Sequence, residues 1–159
     1  MDLDVLEKRI TLLEDLEAIR QLKARYCAAC DDNYDADAIA ALFTPDGVWD
    51  GAGFGRFEGR AAIRDFFRAV PLRMAFAIHQ VMNPIIEVDG ERARGQWYLL
   101  SPCTVHRESG NQAYWMAAVY HEEYVKLGGQ WLIKSLRGGG RLWAPYERGW
   151  APAPPATSA

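Results

Sequence analysis

The chain has 159 residues, 50% of them hydrophobic, 25% charged and 12% aromatic, a balance that suits one compact domain with a substantial core and excludes collagen-like, coiled-coil or wholly disordered organisation. Its net charge of −3 arises from 18 basic and 21 acidic residues scattered along the sequence, so no basic stripe is available to neutralise phosphates and nucleic acid is not expected as a partner. The first residues lack a basic region followed by an apolar run, and nowhere do about 18 apolar residues follow one another, so the chain reads as cytoplasmic, with no membrane segment.

In chain order, Leu6, Ile10, Leu13, Leu16, Ile19, Leu22 and Tyr26 recur in steps of three and four and predict one helix from Leu3 to Asp31. Cys27 and Cys30 have C-x-x-C spacing, but a redox pair of that kind opens a helix after a strand, and these lie near a helix end. With Cys103 the thiols number three, so they are read as small core-facing residues and not as a disulfide framework. No zinc site is expected, because His79, His106 and His121 show no ligand spacing with them.

Asp35 is the predicted N-cap of a short second helix through Ala38, Ile39, Leu42 and Phe43, ended by the turn Pro45-Asp46-Gly47 and followed by a strand from Val48 to Asp50. The glycines between Gly51 and Gly55 precede Arg56-Phe57-Glu58-Gly59 and no helix start, so they mark a hairpin and not a phosphate loop. Ala62, Ile63, Phe66, Phe67 and Val70 define a third helix over Gly59 to Val70, closed by Pro71.

Four long strands are predicted next: Ala75 to Val88, Arg92 to His106, Gln112 to Lys126 and Gln130 to Leu142. Asp89-Gly90, Glu108 to Asn111 and Gly128-Gly129 join them as turns, so neighbours in sequence should pair antiparallel. The fold class is therefore α+β: three helices on a curved, mainly antiparallel sheet, with the long first helix covering one face and a cone left open at one end for a ligand. Residues 1–150 form this single domain, and the Pro/Ala-rich residues 151–159 are expected to be a disordered tail.

Four residues carry the candidate chemistry: Tyr26, Asp31, His79 and Arg141. A carboxylate beside an imidazole makes a general base from ordinary side chains, while a tyrosine and an arginine stabilise a departing oxygen or an anion, all without metal or organic cofactor. Each also has an ordinary local reading. Asp31 beside Asp32 and Asn33 can simply start a surface loop, a lone strand histidine is more often a satisfied core residue, and Arg141 can be a surface cation. Asp31 would sit at the negative end of the helix dipole, which costs a carboxylate up to about 1 kcal/mol and calls for a compensating partner. Tyr26 lies five residues earlier, roughly 140° round the helix, so the two share a cavity only where Asp31 leaves helical geometry. Six Trp and seven Tyr suit core and interface packing, or a pocket for a flat apolar molecule. For the pocket wall the candidates are Trp49, Phe54, Met82, Trp97, Trp115 and Trp143.

The order of these features, from Tyr26 and Asp31 through Ala41-Leu42-Phe43-Thr44-Pro45-Asp46-Gly47-Val48-Trp49 and Phe57-Glu58-Gly59-Arg60-Ala61-Ala62-Ile63 to a strand bearing His79, resembles the SnoaL-like branch of the nuclear-transport-factor-2-like superfamily. The resemblance spans about Leu12 to Trp143. Within that superfamily it is closest to cofactor-independent lyases with an Asp/His dyad: hexachlorocyclohexane dehydrochlorinase, scytalone dehydratase, bile-acid 7α-dehydratases and diarylpropane γ-formaldehyde lyases. It implies that Asp31 and His79 are the dyad, that Tyr26 assists, and that the site arginine is Arg141 or, since the glycine run blurs the register, Arg137. No second active-site histidine of the scytalone dehydratase kind is evident. The implied activity is elimination of water, or of water and then formaldehyde, from a hydroxylated aromatic or polycyclic substrate, in a homodimer or homotrimer. An isomerase or polyketide-type cyclase using the same base, and a non-catalytic small subunit of a ring-hydroxylating dioxygenase, remain as alternatives.

Overall fold

The computed structural model describes residues 2–151. The apolar stripe of the N-terminal segment forms α1 (Leu3–Asp31), capped where the Asp2 side chain accepts the Asp4 N–H. From Asp15 onward α1 packs on the sheet, with Ile19 and Leu22 buried, whereas Ile10 and Leu13 are 47% and 64% exposed. The predicted stripe is thus a buried face only in its second half. A helix of 29 residues is roughly 43 Å long and outruns the layer beneath it. Among the described residues no helix is long and apolar enough to cross a membrane. The expected tail lies, but for Ala151, outside the described residues.

The second helix, α2 (Ala36–Ala41), starts at Asp35, whose Oδ1 accepts the Ala38 N–H at 3.0 Å. It ends earlier than predicted. The Leu42 carbonyl accepts the Ile133 N–H at 2.9 Å and Phe43, fully buried, begins β1 (Phe43–Asp50), so pairing with the last strand outcompetes continued helix. Pro45-Asp46-Gly47 therefore lies inside β1, at an irregularity in its register. The predicted hairpin follows: a 3₁₀ turn over Ala52–Phe54 leads into β2 (Arg56–Glu58), antiparallel to β1. Next comes α3 (Gly59–Ala69), closed by a 3₁₀ turn over Val70–Leu72 that contains Pro71.

The remaining strands are β3 (Met74–Ala77), β4 (Gln80–Asp89), β5 (Arg92–Val105), β6 (Gln112–Leu127) and β7 (Gln130–Pro145). Their order is β2-β1-β7-β6-β5-β3, with β4 also along β5; β1 runs parallel to β7 and every other pair is antiparallel. The helices pack on this curved, unclosed sheet, the cone that the sequence implies. One predicted strand, Ala75 to Val88, is two strands with Ile78 and His79 between them. Opposite the break stands Pro102, which has no N–H to give to a ladder, and the His79 N–H is taken by Asp31.

Along β5 and β6 every second residue faces the helices: Trp97, Leu99 and Cys103 on β5 lie opposite Tyr120, Ala118 and Tyr114 on β6, all buried. With Ile19, Leu22, Ile39, Phe43, Ile63, Ile133 and Leu136 they form the core, each large aliphatic contributing about 1.5–3 kcal/mol by its removal from water.

Candidate active site

At the end of α1 the chain turns through two consecutive residues with positive φ, Asn33 at 50° and Tyr34 at 57°, while the Tyr34 N–H donates back to the Cys30 carbonyl at 3.1 Å. A tyrosine in this conformation is strained by about 1–2 kcal/mol, and it is held there by its packing. Its ring stacks on Phe67 at 6.2 Å and stands edge-on to the His79 imidazole at 6.0 Å. Burial raises its phenol well above the ordinary tyrosine range.

Asp31, where α1 ends, reaches the break between β3 and β4. Its Oδ1 lies 2.7 Å from His79 Nδ1 and accepts the His79 backbone N–H at 2.9 Å. The imidazole side chain is 6% exposed and the carboxylate 30%. Because a carboxylate only accepts, this contact assigns the ring proton to Nδ1 and leaves the Nε2 lone pair free.

His79 borders a cavity of about 550 Å³, a volume in the range of small-molecule sites. Its walls are aromatic: Trp49, Phe54, Phe57, Phe66, Phe67 and Trp143, with Met74, Val105 and Met116 between them. Trp49 is packed 4.7 Å from Phe66, ring to ring, and a Cβ at Gly51 would come within 2.2 Å of its indole, so only glycine fits there. Arg73, His106 and Arg107 also line the space, and among the described residues no aspartate or glutamate does.

Of the ten residues singled out by sequence, the cavity gathers His79, Trp49, Phe54 and Trp143, with Asp31 directly behind His79. Tyr26 is buried behind Trp49 and accepts a hydrogen bond from its Nε1 at 2.9 Å; burial pushes its phenol well above the usual range. Arg141 is exposed at a bulge in β7, between Gly140 opposite Ala118 and Leu142 opposite Ala117, and does not line the cavity. Arg137, opposite His121, lines a separate concavity of about 450 Å³ among Asp50, Arg56, Glu87, Arg94 and Glu123. Trp97 faces inward but is used in the core, where its Nε1 donates to the Tyr124 hydroxyl at 2.9 Å. Trp115 alternates with the cavity-facing Met116 and so lies on the outer side, against Tyr146 and Trp150. Met82 is exposed opposite Tyr98.

Sequence reasoning missed Tyr34, Arg73, Arg107 and the Phe57, Phe66 and Phe67 wall. The adjacent Phe66-Phe67 pair in α3 was the available signal, since two neighbouring helical aromatics cannot both serve one narrow core stripe.

Residues 11–137 match the SnoaL-like domain. The chain belongs to the SnoaL-like family. Among solved structures it is similar to the hexachlorocyclohexane dehydrochlorinase LinA-type3 of Novosphingobium barchaimii LL02, at 26% identity over 92% of this chain and 99% of that one, with a TM-score of 0.79. A protein of unknown function from Mycobacterium tuberculosis is 29% identical over 87% of this chain and 76% of its own, with a TM-score of 0.67. A nuclear-transport-factor-2-like protein with a cystatin-like fold from Novosphingobium aromaticivorans is 25% identical over 86% and 88%, with a TM-score of 0.71. The structures similar to this chain thus include a hexachlorocyclohexane dehydrochlorinase.

Proposed function

We propose that this protein is a lyase that eliminates a small leaving group from a hydroxylated apolar substrate, aromatic or polycyclic, using His79 as the base and Asp31 as its orienting partner. The observation that carries this reading is the Asp31–His79 contact at the edge of an aromatic cavity, with Nε2 as the free nitrogen. Nε2 takes a proton from carbon, the C–H electrons form the new double bond, and the C–O bond breaks as hydroxide leaves; the proton departs with it as water or passes to solvent. The developing imidazolium is stabilised by the carboxylate at 2.7 Å.

On a 4-hydroxyaryl-propanediol, Nε2 takes the phenolic proton instead, and the phenolate electrons expel the benzylic hydroxide, which leaves as water with that proton, to give a quinone methide. Deprotonation of the primary hydroxyl then expels formaldehyde as the carbon–carbon electrons restore the ring. A hydroxysteroid would lose water alone. Tyr26 acts in this reading through the Trp49 indole it holds, and the arginines that line the cavity are Arg73 and Arg107 rather than Arg141. The reading invokes no metal and no organic cofactor.

The test is incubation of the purified protein with hydroxysteroids, halocycloalkanes and lignin-type aryl-propanediols, with product mass followed beside a His79→Ala control. Loss of water, hydrogen halide or formaldehyde that falls by about 10²-fold or more in the control is the expected outcome. An equal rate in the control overturns the dyad assignment, and a product of unchanged mass replaces the lyase with the isomerase or cyclase reading.

A further inference from the structure

We infer that the cavity has an anion subsite in which Arg73 and Arg107 bind a carboxylate or similar oxyanion carried by the substrate. The inference rests on the cavity being the reaction site and adds the class of molecule it accepts: an aromatic or polycyclic acid rather than a neutral compound.

Three observations carry it. Among the described residues the cavity is lined by two arginines and two histidines and by no aspartate or glutamate, in a chain whose acidic residues outnumber its basic ones by 21 to 18. Among the described residues four arginines have acidic partners: Arg20 pairs with Glu17, Arg56 with Glu58, and Arg64 and Arg68 with Asp37. Among the described residues neither Arg73 nor Arg107 has a salt-bridge partner.

The two arginines come from different segments, yet the backbone ties them together. Arg73 follows the 3₁₀ turn and its carbonyl accepts the His106 N–H at 2.8 Å; Arg107 is the next residue. Met74 follows Arg73, Val105 precedes His106, and the two are opposite each other in the β3–β5 ladder and line the same cavity. Arg107 is further oriented by a neutral group. Its Nη2 donates to the Tyr114 hydroxyl at 3.2 Å and its guanidinium carbon lies 5.6 Å from the centre of that ring. Tyr114 in turn stacks on Trp143, a wall of the cavity, at 4.8 Å. Among the described residues the other N–H donors of the two guanidiniums have no hydrogen-bond partner, which leaves them for an oxyanion.

The energetics select the charge. A neutral apolar ligand that covers this rim strips water from two cations and returns nothing for it, whereas an oxyanion replaces that water with charge-assisted, bidentate hydrogen bonds.

The test reads binding apart from turnover, by quenching of tryptophan fluorescence with 1-naphthoate and with its methyl ester. Wild type should bind the acid at least about tenfold more tightly than the ester, with the preference falling as salt rises. Arg73→Gln/Arg107→Gln should remove the preference and leave ester affinity unchanged, while Arg141→Gln should keep it; circular dichroism of each variant checks the fold. Equal affinity of wild type for acid and ester, or a preference that survives the double substitution, overturns the subsite. The preference should also persist in His79→Ala, so that a protein that binds acids selectively but eliminates nothing refutes the lyase reading and leaves the subsite standing.

Discussion

Oδ1 of Asp31 accepts two hydrogen bonds from one residue, the His79 backbone N–H at 2.9 Å and the His79 Nδ1–H at 2.7 Å. One oxygen therefore fixes both the path of the chain at the break between β3 and β4 and the orientation of the ring. The two functions separate by substitution. An asparagine oxygen still accepts both bonds but carries no charge, so Asp31→Asn should lower kcat by about 10²–10⁴-fold with KM and melting temperature near wild type. Asp31→Ala also abandons the His79 N–H and should melt several degrees lower. Steady-state kinetics on a verified substrate, together with thermal melts, check this. A wild-type kcat in Asp31→Asn would remove the carboxylate from the mechanism.

The thiols of the C-x-x-C pair should be inert. Burial pushes the Cys27 thiol up to about 11, with Glu122 and Asp31 adding to the effect and Lys23 opposing it, and burial takes Cys103 to about 11 as well. Cys30, buried beside Cys27, is raised higher still. None of the three should react with Ellman's reagent over minutes at pH 7.5 in the native protein, and all three should react in 6 M guanidinium. One fast native thiol would reopen the redox reading.

Much of the fold was legible in the sequence because its periods are long and its turns are marked. Gly90, Gly128 and Gly129 all have the positive φ that their turn signals implied. Alternation along a strand shows which residues share a face, but not how deep each lies. Trp97, Tyr120 and Tyr124 face inward yet belong to the packed core, while Tyr114 and Met116, nearer the start of β6, reach or support the cavity wall. Tyr34 could not be read, since a bulky residue with positive φ is chosen by tertiary packing and has no local sequence signal. Arg73 and Arg107, 34 positions apart in sequence, come together only through the β3–β5 register.

Least legible of all was the buried pair of Lys23 and Glu122, 99 residues apart and each with 0% side-chain exposure. Lys23 Nζ donates to Glu122 Oε1, lies 3.7 Å from the centre of the Tyr120 ring, and Glu122 Oε2 accepts from the Tyr124 hydroxyl. Burial and the adjacent Glu122 raise the Tyr124 phenol well above its usual range, which keeps it a donor. Lys23→Met alone strands a carboxylate in the core and should cost about 3–5 kcal/mol. The Lys23→Met/Glu122→Gln double variant should be less destabilised than the sum of the singles, by about 1–3 kcal/mol. Urea unfolding of the four proteins measures this, and strict additivity would show that the pair is not coupled.

Asp15 supplies the pH dependence. Burial works to raise its pKa, but the hydrogen bonds from Lys126 Nζ and Trp131 Nε1, both 2.7 Å, and the Lys126 charge outweigh it and hold the carboxyl below its ordinary value. A carboxyl depressed by folding adds stability that is present above the unfolded-state value of about 4 and is lost as pH falls through the folded value. Asp15→Asn should therefore cost about 1–3 kcal/mol at pH 7, and the gap to wild type should narrow below about pH 4. Urea midpoints at pH 7, 5 and 3.5 check this, and a gap that widens in acid would reverse the sign.

The outer face of the sheet should be covered by a second copy of the chain. An antiparallel sheet with one solvated side alternates apolar and polar residues, yet here Phe76 and Ile78 by β3, Met82 and Ile85 on β4 and Tyr98 on β5 are all exposed, Ile85 at 59% and Tyr98 at 44%. Beside them Asp50, Glu87 and Glu123 are interspersed with Arg56, Arg94 and Arg137, so the surface carries both signs and can complement itself across a two-fold axis. Light scattering on the eluting peak at micromolar concentration should give twice the 17.9 kDa chain mass. Ile85→Glu/Tyr98→Glu should give the chain mass with an unchanged far-ultraviolet spectrum, because neither side chain enters the core. A wild-type monomer would leave this face unexplained by self-association, and a mass of three chains would replace the two-fold contact with a heterologous, ring-closing one.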